Sequence, residues 1–368
     1  MQGKHSEEAG AKQDSGLGQG LGQSRIDLPI VYVPTENQDV YWNFGLETYL
    51  VEEKACTDRC FLLVWRTQPT FMLGRYQNLL SEVNLPFAQD HGVYLVRRPS
   101  GGGCIYTDLG SWQFSFILPE TGISGPTDAI DFAPFTRAIV TALNKMGIPA
   151  VADGRNDLLV EGKKISGNAQ YRKDGFIVHH GSILFNPNLE FMLQGLQPDP
   201  YKMSSKGIAS VRERVACLED YVPKDMTVVD FRDRLVEYLL AGQEKAGMMD
   251  PCYQLTEEEE QRAADLGTKR FADPARILTM NPPFSLQVDG HFPGGKVSLS
   301  VTVEKGLVRQ AKLEGDFFGN VTEEEIQSAL AGVPYRKEAL VAALEAIHLD
   351  EKLYQVTSQE IIGLLPCP

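Results

Sequence analysis

Three segments of the 368-residue chain carry side chains whose types and spacing suit chemistry on an anion. The first is Arg97-Arg98-Pro99-Ser100-Gly101-Gly102-Gly103-Cys104-Ile105-Tyr106. Three glycines let the backbone approach a ligand and aim N–H groups at its oxygens, and arginine grips phosphate or carboxylate with paired hydrogen bonds. Glycine-rich turns are common, and alone the run reads more simply as a tight β-hairpin turn with solvated arginines. The second is Asp153-Gly154-Arg155-Asn156-Asp157-Leu158-Leu159-Val160, followed by Lys163-Lys164-Ile165-Ser166-Gly167. Read as strand, turn and strand, it gathers a carbonyl, a carboxylate and an ammonium that could neutralise a phosphate or a substrate carboxylate. A charged surface hairpin is the plainer alternative. In the third, Val178-His179-His180-Gly181-Ser182, neighbouring strand side chains face opposite ways. At most one histidine then faces a given pocket, and a satisfied core histidine is the bland alternative.

The cysteines Cys56, Cys60, Cys104, Cys217, Cys252 and Cys367 do not read as a disulfide framework in a long acidic chain. Cys56 and Cys60 lack a second Cys/His pair at zinc-ligand spacing.

The elements that must position these groups follow from periodicity. IDLPIVYV reads as a short strand and Val40 to Lys54 as a helix. FLLVWR (61–66), TFMLG (70–74), VYLVRR (93–98), GCIYTD (103–108) and WQFSFIL (112–118) are strand candidates separated by turn residues. A helix is expected from Ile130 to Met146, stopped by Gly147 and Pro149, and DLLVEGKKISG and FIVHHGSILFN read as strand, turn, strand. Regular βαβ alternation is absent, so the fold class is α+β with a mixed or largely antiparallel sheet. TEEEEQRAADLGTKRFADPAR reads as an amphipathic linker helix, followed by alternating strands and the helices EEEIQSALAGV and KEALVAALEAI. The expected organisation is a flexible tail (1–25), a first domain (26–245), a linker (246–276) and a smaller α+β domain (277–368).

Composition narrows the function classes. The length suggests two domains, and 43% hydrophobic content excludes wholesale disorder. The 35 basic and 49 acidic side chains leave a net charge of −14, which argues against general nucleic-acid binding. The charge is uneven: residues 155–214 hold nine basic and six acidic groups, whereas residues 251–368 hold eleven and eighteen. An anion site therefore belongs in the first region. No apolar run approaches the roughly 20 residues of a membrane helix, and the N-terminal stretch lacks a secretory apolar core. The cytoplasm is the expected compartment, with neither membrane nor nucleic acid as a partner.

In their order and spacing these segments resemble the lipoate–protein ligase family. RRPSGGGCIYTDLG is similar to the family's RR-x-SGGGAVYHDLGN, and GRNDLLV…GKKISGNAQ to its GRNDL…RKISGSAQ. HHGSILFN resembles HHGTLLLN, KGIASVRERVACL resembles KGI-SVRSRV, and VWRTQPTFMLGRYQN matches an early W-R…GR-QN stretch. The likeness runs from about Val40 to Leu218 and returns in EKGLVRQAKLEGDFF and EEEIQSALAGVPYRKEAL, which resemble the family's accessory domain. It implies a catalytic domain of the biotin/lipoate ligase type that activates lipoate with ATP and Mg²⁺. The lipoyl group would pass from lipoyl-AMP to a lysine of a lipoyl domain, on 2-oxoacid dehydrogenase acyltransferase subunits or the glycine-cleavage H protein.

Carried onto matching positions, the resemblance makes Lys164 the catalytic lysine between lipoate carboxylate and α-phosphate. ATP would lie along Arg98, Gly103, Cys104, Ile105 and Tyr106, with Asn156, Asp157 and Lys164, and Asp157 is the Mg²⁺ candidate. Trp65, Gly74, Arg75, Arg97, Ser100, Gly101, Gly102, Lys164 and His180 would bind lipoate. The chain departs from the pattern at Cys104, Thr107 and Ser111, where Ala, His and Asn are usual, and its linker lacks the usual Trp. Tyr201-Lys202-Met203-Ser204-Ser205-Lys206 resembles the KMSKS loop of class I aminoacyl-tRNA synthetases, but no HIGH-type partner or nucleotide-binding βαβ start accompanies it. Two other readings stay open: an ATP-independent octanoyl or lipoyl transferase working through a cysteine thioester, and a non-catalytic lipoate-binding module.

Overall fold

A computed structural model describes residues 24–77, 79–124, 130–154, 156–196, 214–241, 251–272, 286–304 and 307–365. Nearly all of the expected tail, Arg155, the Tyr201–Lys206 loop, much of KGIASVRERV and parts of the linker lie outside them.

In chain order the larger unit begins with β1 (Arg25–Ile26), β2 (Ile30–Tyr32), α1 (Val40–Tyr49), β3 (Cys60–Trp65), β4 (Thr70–Leu73), α2 (Leu79–Glu82), α3 (Leu85–Asp90), β5 (Tyr94–Arg97) and β6 (Ile105–Thr107). It continues with β7 (Ser111–Pro119), β8 (Ile123–Ser124), α4 (Ala133–Lys145), β9 (Ala150–Asp153), β10 (Asp157–Val160), β11 (Lys163–Lys173) and β12 (Phe176–Leu184). Helices α5 (Leu189–Gly195), α6 (Val228–Leu240) and α7 (Glu257–Phe271) follow. The C-terminal unit comprises β13 (Leu286–Phe292), β14 (Gly295–Glu304), β15 (Leu307–Phe317), α8 (Glu323–Leu330), α9 (Lys337–Glu345), α10 (Leu349–Lys352) and α11 (Ser358–Ile362). The architecture is α+β, as the sequence implies.

A seven-stranded sheet ordered β2-β3-β7-β12-β11-β10-β9 forms the core, antiparallel except for the β2–β3 pair. All nine residues of β7 are buried, because both faces of the sheet are covered. On one face Phe114 and Phe116 pack with Phe135 of α4 and Phe231 of α6. On the other, Phe61, Leu63 and Trp65 pack with Phe44 of α1 and Phe271 of α7. A smaller sheet, β5-β4-β6, carries the glycine-rich segment between β5 and β6.

Helix α7, expected as a linker, packs along α1. The crossing is close enough that a Cβ on Gly45 would lie 2.0 Å from the Ala263 carbonyl oxygen. Thr256 and Glu259 form a capping box at its start, four glutamates occupy its first turn, and Lys269 and Arg270 its last, each sign complementing the helix dipole. Arg270 and Lys54 reach across to Glu52 and Glu259, at 2.5 and 2.9 Å, and Phe271 stacks on Phe44 with centroids 5.3 Å apart.

The C-terminal unit has its own core, including Val297, Leu313, Ile326 and Leu340. It docks on the turn after β4: Tyr76 stacks on Phe317 (4.4 Å), accepts from the Gly315 amide (2.7 Å) and donates its hydroxyl to the Val321 carbonyl (2.5 Å). No helix among the described residues is long and apolar enough to cross a membrane.

Candidate active site

The segment between β5 and β6 is shaped from inside by one arginine. Arg98 is 6% exposed, and its Nε donates to Ser100 Oγ (3.1 Å) and its Nη1 to the Met72 carbonyl (2.9 Å). Nη2 donates to the carbonyls of Gly101 and Gly103, both at 2.8 Å. Three of these bonds hold the loop around one guanidinium, the fourth ties it to β4, and Gly102 completes the bend at φ +93°, a conformation that favours glycine. Burial pushes the Arg98 pKa down to about 10, so it stays cationic at neutral pH, and the cavity keeps a fixed positive charge.

The facing wall is the β10–β11 hairpin. Asp157 pairs with Gly167 and Leu159 with Lys164, across a register shift between Leu158 and Leu159. Residues three apart on a regular strand face opposite ways, so the bulge is what brings Lys164 onto the face of Gly167 and Asp157. Lys164 Nζ meets Asp157 Oδ1 at 2.8 Å, and its chain folds so far over Gly167 that a Cβ there would lie 3.1 Å from Nζ. Asn156 and Asn168 lock the base of the hairpin: each side-chain amide donates to the other's carbonyl, at 2.7 and 3.0 Å.

Strand β12 supplies the floor, and its two histidines diverge as the alternation requires. His179 is fully buried, stacked on Phe135 (4.3 Å) with Nε2 3.1 Å from Asn168 Oδ1. Burial, then the neighbouring His180, hold its pKa well below the usual imidazole range. His180 faces the opposite side, with Nε2 2.6 Å from Ser100 Oγ and Nδ1 3.3 Å from Glu47 Oε1.

Between these walls lies a cavity of 310 Å³. Phe44, Trp65 and Met72 make an apolar part; Arg98, Asn156, Asp157, Lys164 and His180 make a polar one. Asp316 and Phe318 of the C-terminal unit also line it. An apolar pocket beside paired cations suits a small acid with a hydrocarbon tail, and the glycine loop beside it suits phosphate.

Residues 39–240 match the family model of the lipoyl protein ligase A/B catalytic domain, and residues 281–365 match that of the bacterial lipoate protein ligase C-terminus. The chain belongs to the lipoate–protein ligase family. It is 31% identical to lipoate-protein ligase LplJ of Bacillus subtilis over 337 residues, which are 91% of this chain and 100% of the relative. The P. falciparum LipL1 structure in complex with lipoate superposes with a TM-score of 0.71 at 23% identity, covering 88% of this chain and 97% of that one. A lipoate-protein ligase A structure bound with ATP gives 0.53 at 23% identity, covering 70% and 99%. The two solved structures show a shared fold.

Of the positions expected to act in this ligase, Trp65, Arg98, Gly102, Gly103, Cys104, Ile105, Asn156, Asp157, Lys164 and His180 line the cavity together. Gly74, Arg75, Arg97, Ser100, Gly101 and Tyr106 are not among its lining residues. Arg97 Nη1 donates to the carbonyls of Gly74 (3.0 Å) and Gln77 (2.5 Å), which holds the turn after β4. The Arg75 amide donates to the Ser100 carbonyl (2.8 Å), and its guanidinium lies over Tyr76. Tyr106 is buried against Phe71, its hydroxyl on Asp108. Thr107, one of the departures, is buried and accepts from Gln113 Nε2 (2.7 Å). Sequence reasoning missed Phe44, Met72, Gln113, Asn168, Asp316, Phe318 and the buried Glu47. The glutamate had only a weak signal, since its helix face carries Val40 and Phe44 but also the buried Asn43.

Proposed function

We propose that the enzyme activates lipoate with ATP to lipoyl-AMP and transfers the lipoyl group to a lysine of a lipoyl domain. The observation that carries this reading is the convergence of the Arg98 loop, the Lys164–Asp157 pair and the Trp65–Phe44–Met72 wall on one cavity. Adenylation needs no enzyme nucleophile. A lipoate oxygen bonds to the α-phosphorus while the bond to the β-phosphate oxygen breaks and pyrophosphate leaves. The protein's part is to align two anions and neutralise the charge that develops. Lys164 bridges the carboxylate and the α-phosphate, the Arg98 loop runs along the nucleotide, and Asn156 and Asp157 face it. Trp65, Phe44, Met72 and His180 line the acyl side. Asp157 would be the carboxylate that holds a Mg²⁺ brought in with ATP, and the ion would supply further neutralisation of phosphate charge there. No cluster of three metal-ligating side chains lies among the described residues.

In the second step the uncharged amine of the acceptor lysine attacks the lipoyl carbonyl, AMP leaves and the amine loses a proton. The acceptors are acyltransferase subunits of 2-oxoacid dehydrogenases and the glycine-cleavage H protein, approached through the locally cationic 155–214 region. The C-terminal unit closes the site for adenylation and moves away to admit the acceptor.

A cysteine-based transferase would need a thiolate in the cavity. Cys104 lines it, but burial pushes that thiol well above its ordinary range, which disfavours the thioester route. The test is the intact mass of a purified lipoyl domain after incubation with the protein, Mg²⁺ and lipoate, with and without ATP. A lipoyl gain only with ATP is expected. Gain from an acyl-carrier donor without ATP would favour the transferase, and lipoate binding with no turnover would favour a binding module.

A further inference from the structure

The carboxylate of Glu47 lies at the centre of the larger unit, 1% exposed, on the face of α1 that meets the main sheet. A carboxyl group in such a place is costly except where hydrogen bonds offset its desolvation, and here they gather on one oxygen, Oε1, while Oε2 has no partner among the described residues. Two hydrogen-bond chains end on its Oε1. In one, Trp65 Nε1 donates to Ser115 Oγ (3.3 Å), whose hydroxyl donates to Glu47. The other runs from His180 Nδ1 to Glu47, through His180 Nε2 and Ser100 Oγ to Arg98 Nε. Both chains terminate in side chains that line the catalytic cavity, Trp65 and Arg98.

The direction of the second chain is fixed by its ends. The guanidinium can only donate, and so can the Trp65 indole, so Ser115 accepts from Trp65 and gives its own proton to Glu47 Oε1, which is therefore an acceptor. Ser100 therefore accepts from Arg98 and, facing a neutral ring, turns its hydroxyl proton to His180 Nε2 as the ring's acceptor. Nδ1 carries the proton that meets Glu47. With the other tautomer, two lone pairs would face each other at Glu47 and Ser100 would have two donors and no acceptor.

We propose that Glu47 is a positioning residue of this site: it sets the His180 tautomer and, through Ser100 and Ser115, holds Arg98 and Trp65 in the cavity wall. Its effect on ligand binding rests on the lipoate reading above; its effect on the ring does not. Nitrogen-15 shifts of the imidazoles in the full-length chain, with the His180 signal assigned by His180→Asn, report which ring nitrogen bears the proton. The wild type should show Nδ1–H, Glu47→Gln should keep it through the amide oxygen, and Glu47→Leu should lose it. In calorimetry with lipoate alone, Glu47→Leu should bind about tenfold or more weakly while Glu47→Gln stays within about threefold. In adenylation the loss should fall on KM for lipoate rather than on kcat. An Nε2–H wild type, or unchanged lipoate affinity in a folded Glu47→Leu, overturns the proposal. Should Glu47→Leu not fold, Ser100→Ala breaks the same chain at its far end. It should weaken lipoate similarly with the His180 Nδ1–H intact, and full affinity there overturns the proposal equally. A wild type that binds no lipoate fails the functional reading instead, and the ring proton still decides the role of Glu47.

Discussion

Replacing Lys164 with alanine separates catalysis from stability in this ligase. The side chains of Lys164 and Asp157 are 41% and 36% exposed, so their 2.8 Å ion pair is screened by water. Such pairs contribute about 0–1 kcal/mol. In a chain of this size that corresponds to a melting shift of no more than about 2–4 °C. Adenylation should respond on a different scale. Removing one pre-aimed donor from a charge that grows in the transition state costs about 2.7–4 kcal/mol, or 10²–10³ in rate. The assay is lipoate-dependent pyrophosphate release, run beside a thermal melt and beside transfer from preformed lipoyl-AMP. The expected pattern is a nearly unchanged melt with pyrophosphate release reduced at least about a hundredfold. Lipoyl-AMP synthesis at the wild-type rate would refute the assignment of Lys164, and a large melting shift would show that the residue is structural.

Three further outcomes are expected. His179 is held neutral by burial, so its unfolded form alone takes a proton near pH 6.5; the stability it confers is present above that pH and is lost on acidification, at about 1.4 kcal/mol per pH unit. His179→Phe should flatten that slope in denaturant melts at pH 7 and 5.5, and parallel slopes would contradict the argument. Phe271→Ala removes the ring behind Phe44 and should destabilise by about 3–5 kcal/mol in chemical denaturation; a loss below about 1 kcal/mol would mean that α7 does not support the pocket. Truncation after residue 272 should keep the α1–α7 packing and impair adenylation more than transfer from preformed lipoyl-AMP. Equal loss of both steps would argue against a closing role for the C-terminal unit.

The chemistry-bearing segments were legible because arginine, lysine, histidine and consecutive glycines stand out by type. The strands around them were legible because their apolar runs are bounded by turn residues. Which side chains face inward was harder. Lys164 reaches Asp157 through a register shift that a strict two-residue alternation would not place, and Arg97, beside Arg98 in the motif, turns to the backbone of the β4 turn. Helix α7 read as a linker because its exposed face is a run of glutamates, yet Ala263, Leu266 and Phe271 form a buried stripe against α1. Asp316 and Phe318 carried no local signal: they reach the cavity only through the packing of one unit on another.

That packing changes what the glycine triplet means. Read locally, three glycines let a ligand approach the backbone. In the folded chain a Cβ on Gly101 would lie 2.1 Å from the Phe317 carbonyl oxygen, and one on Gly103 would lie 3.0 Å from Asp316 Oδ2. The Gly102 amide donates to the same Phe317 carbonyl at 3.0 Å. Gly101 is thus required by the docked C-terminal unit, whatever a ligand asks of it, Gly103 is close only to the carboxylate end of Asp316, and Gly102 is favoured by its own dihedral. The loop that Arg98 shapes from below is therefore also the surface on which the second unit rests. Asp316 brings a negative charge to the part of the cavity where Arg98 supplies a positive one. Any anion drawn to Arg98 must share that space with a carboxylate from the other unit, and like charges in a partly buried cavity repel strongly. Occupancy of the loop and the position of the C-terminal unit are accordingly coupled by charge and by contact at the same residues.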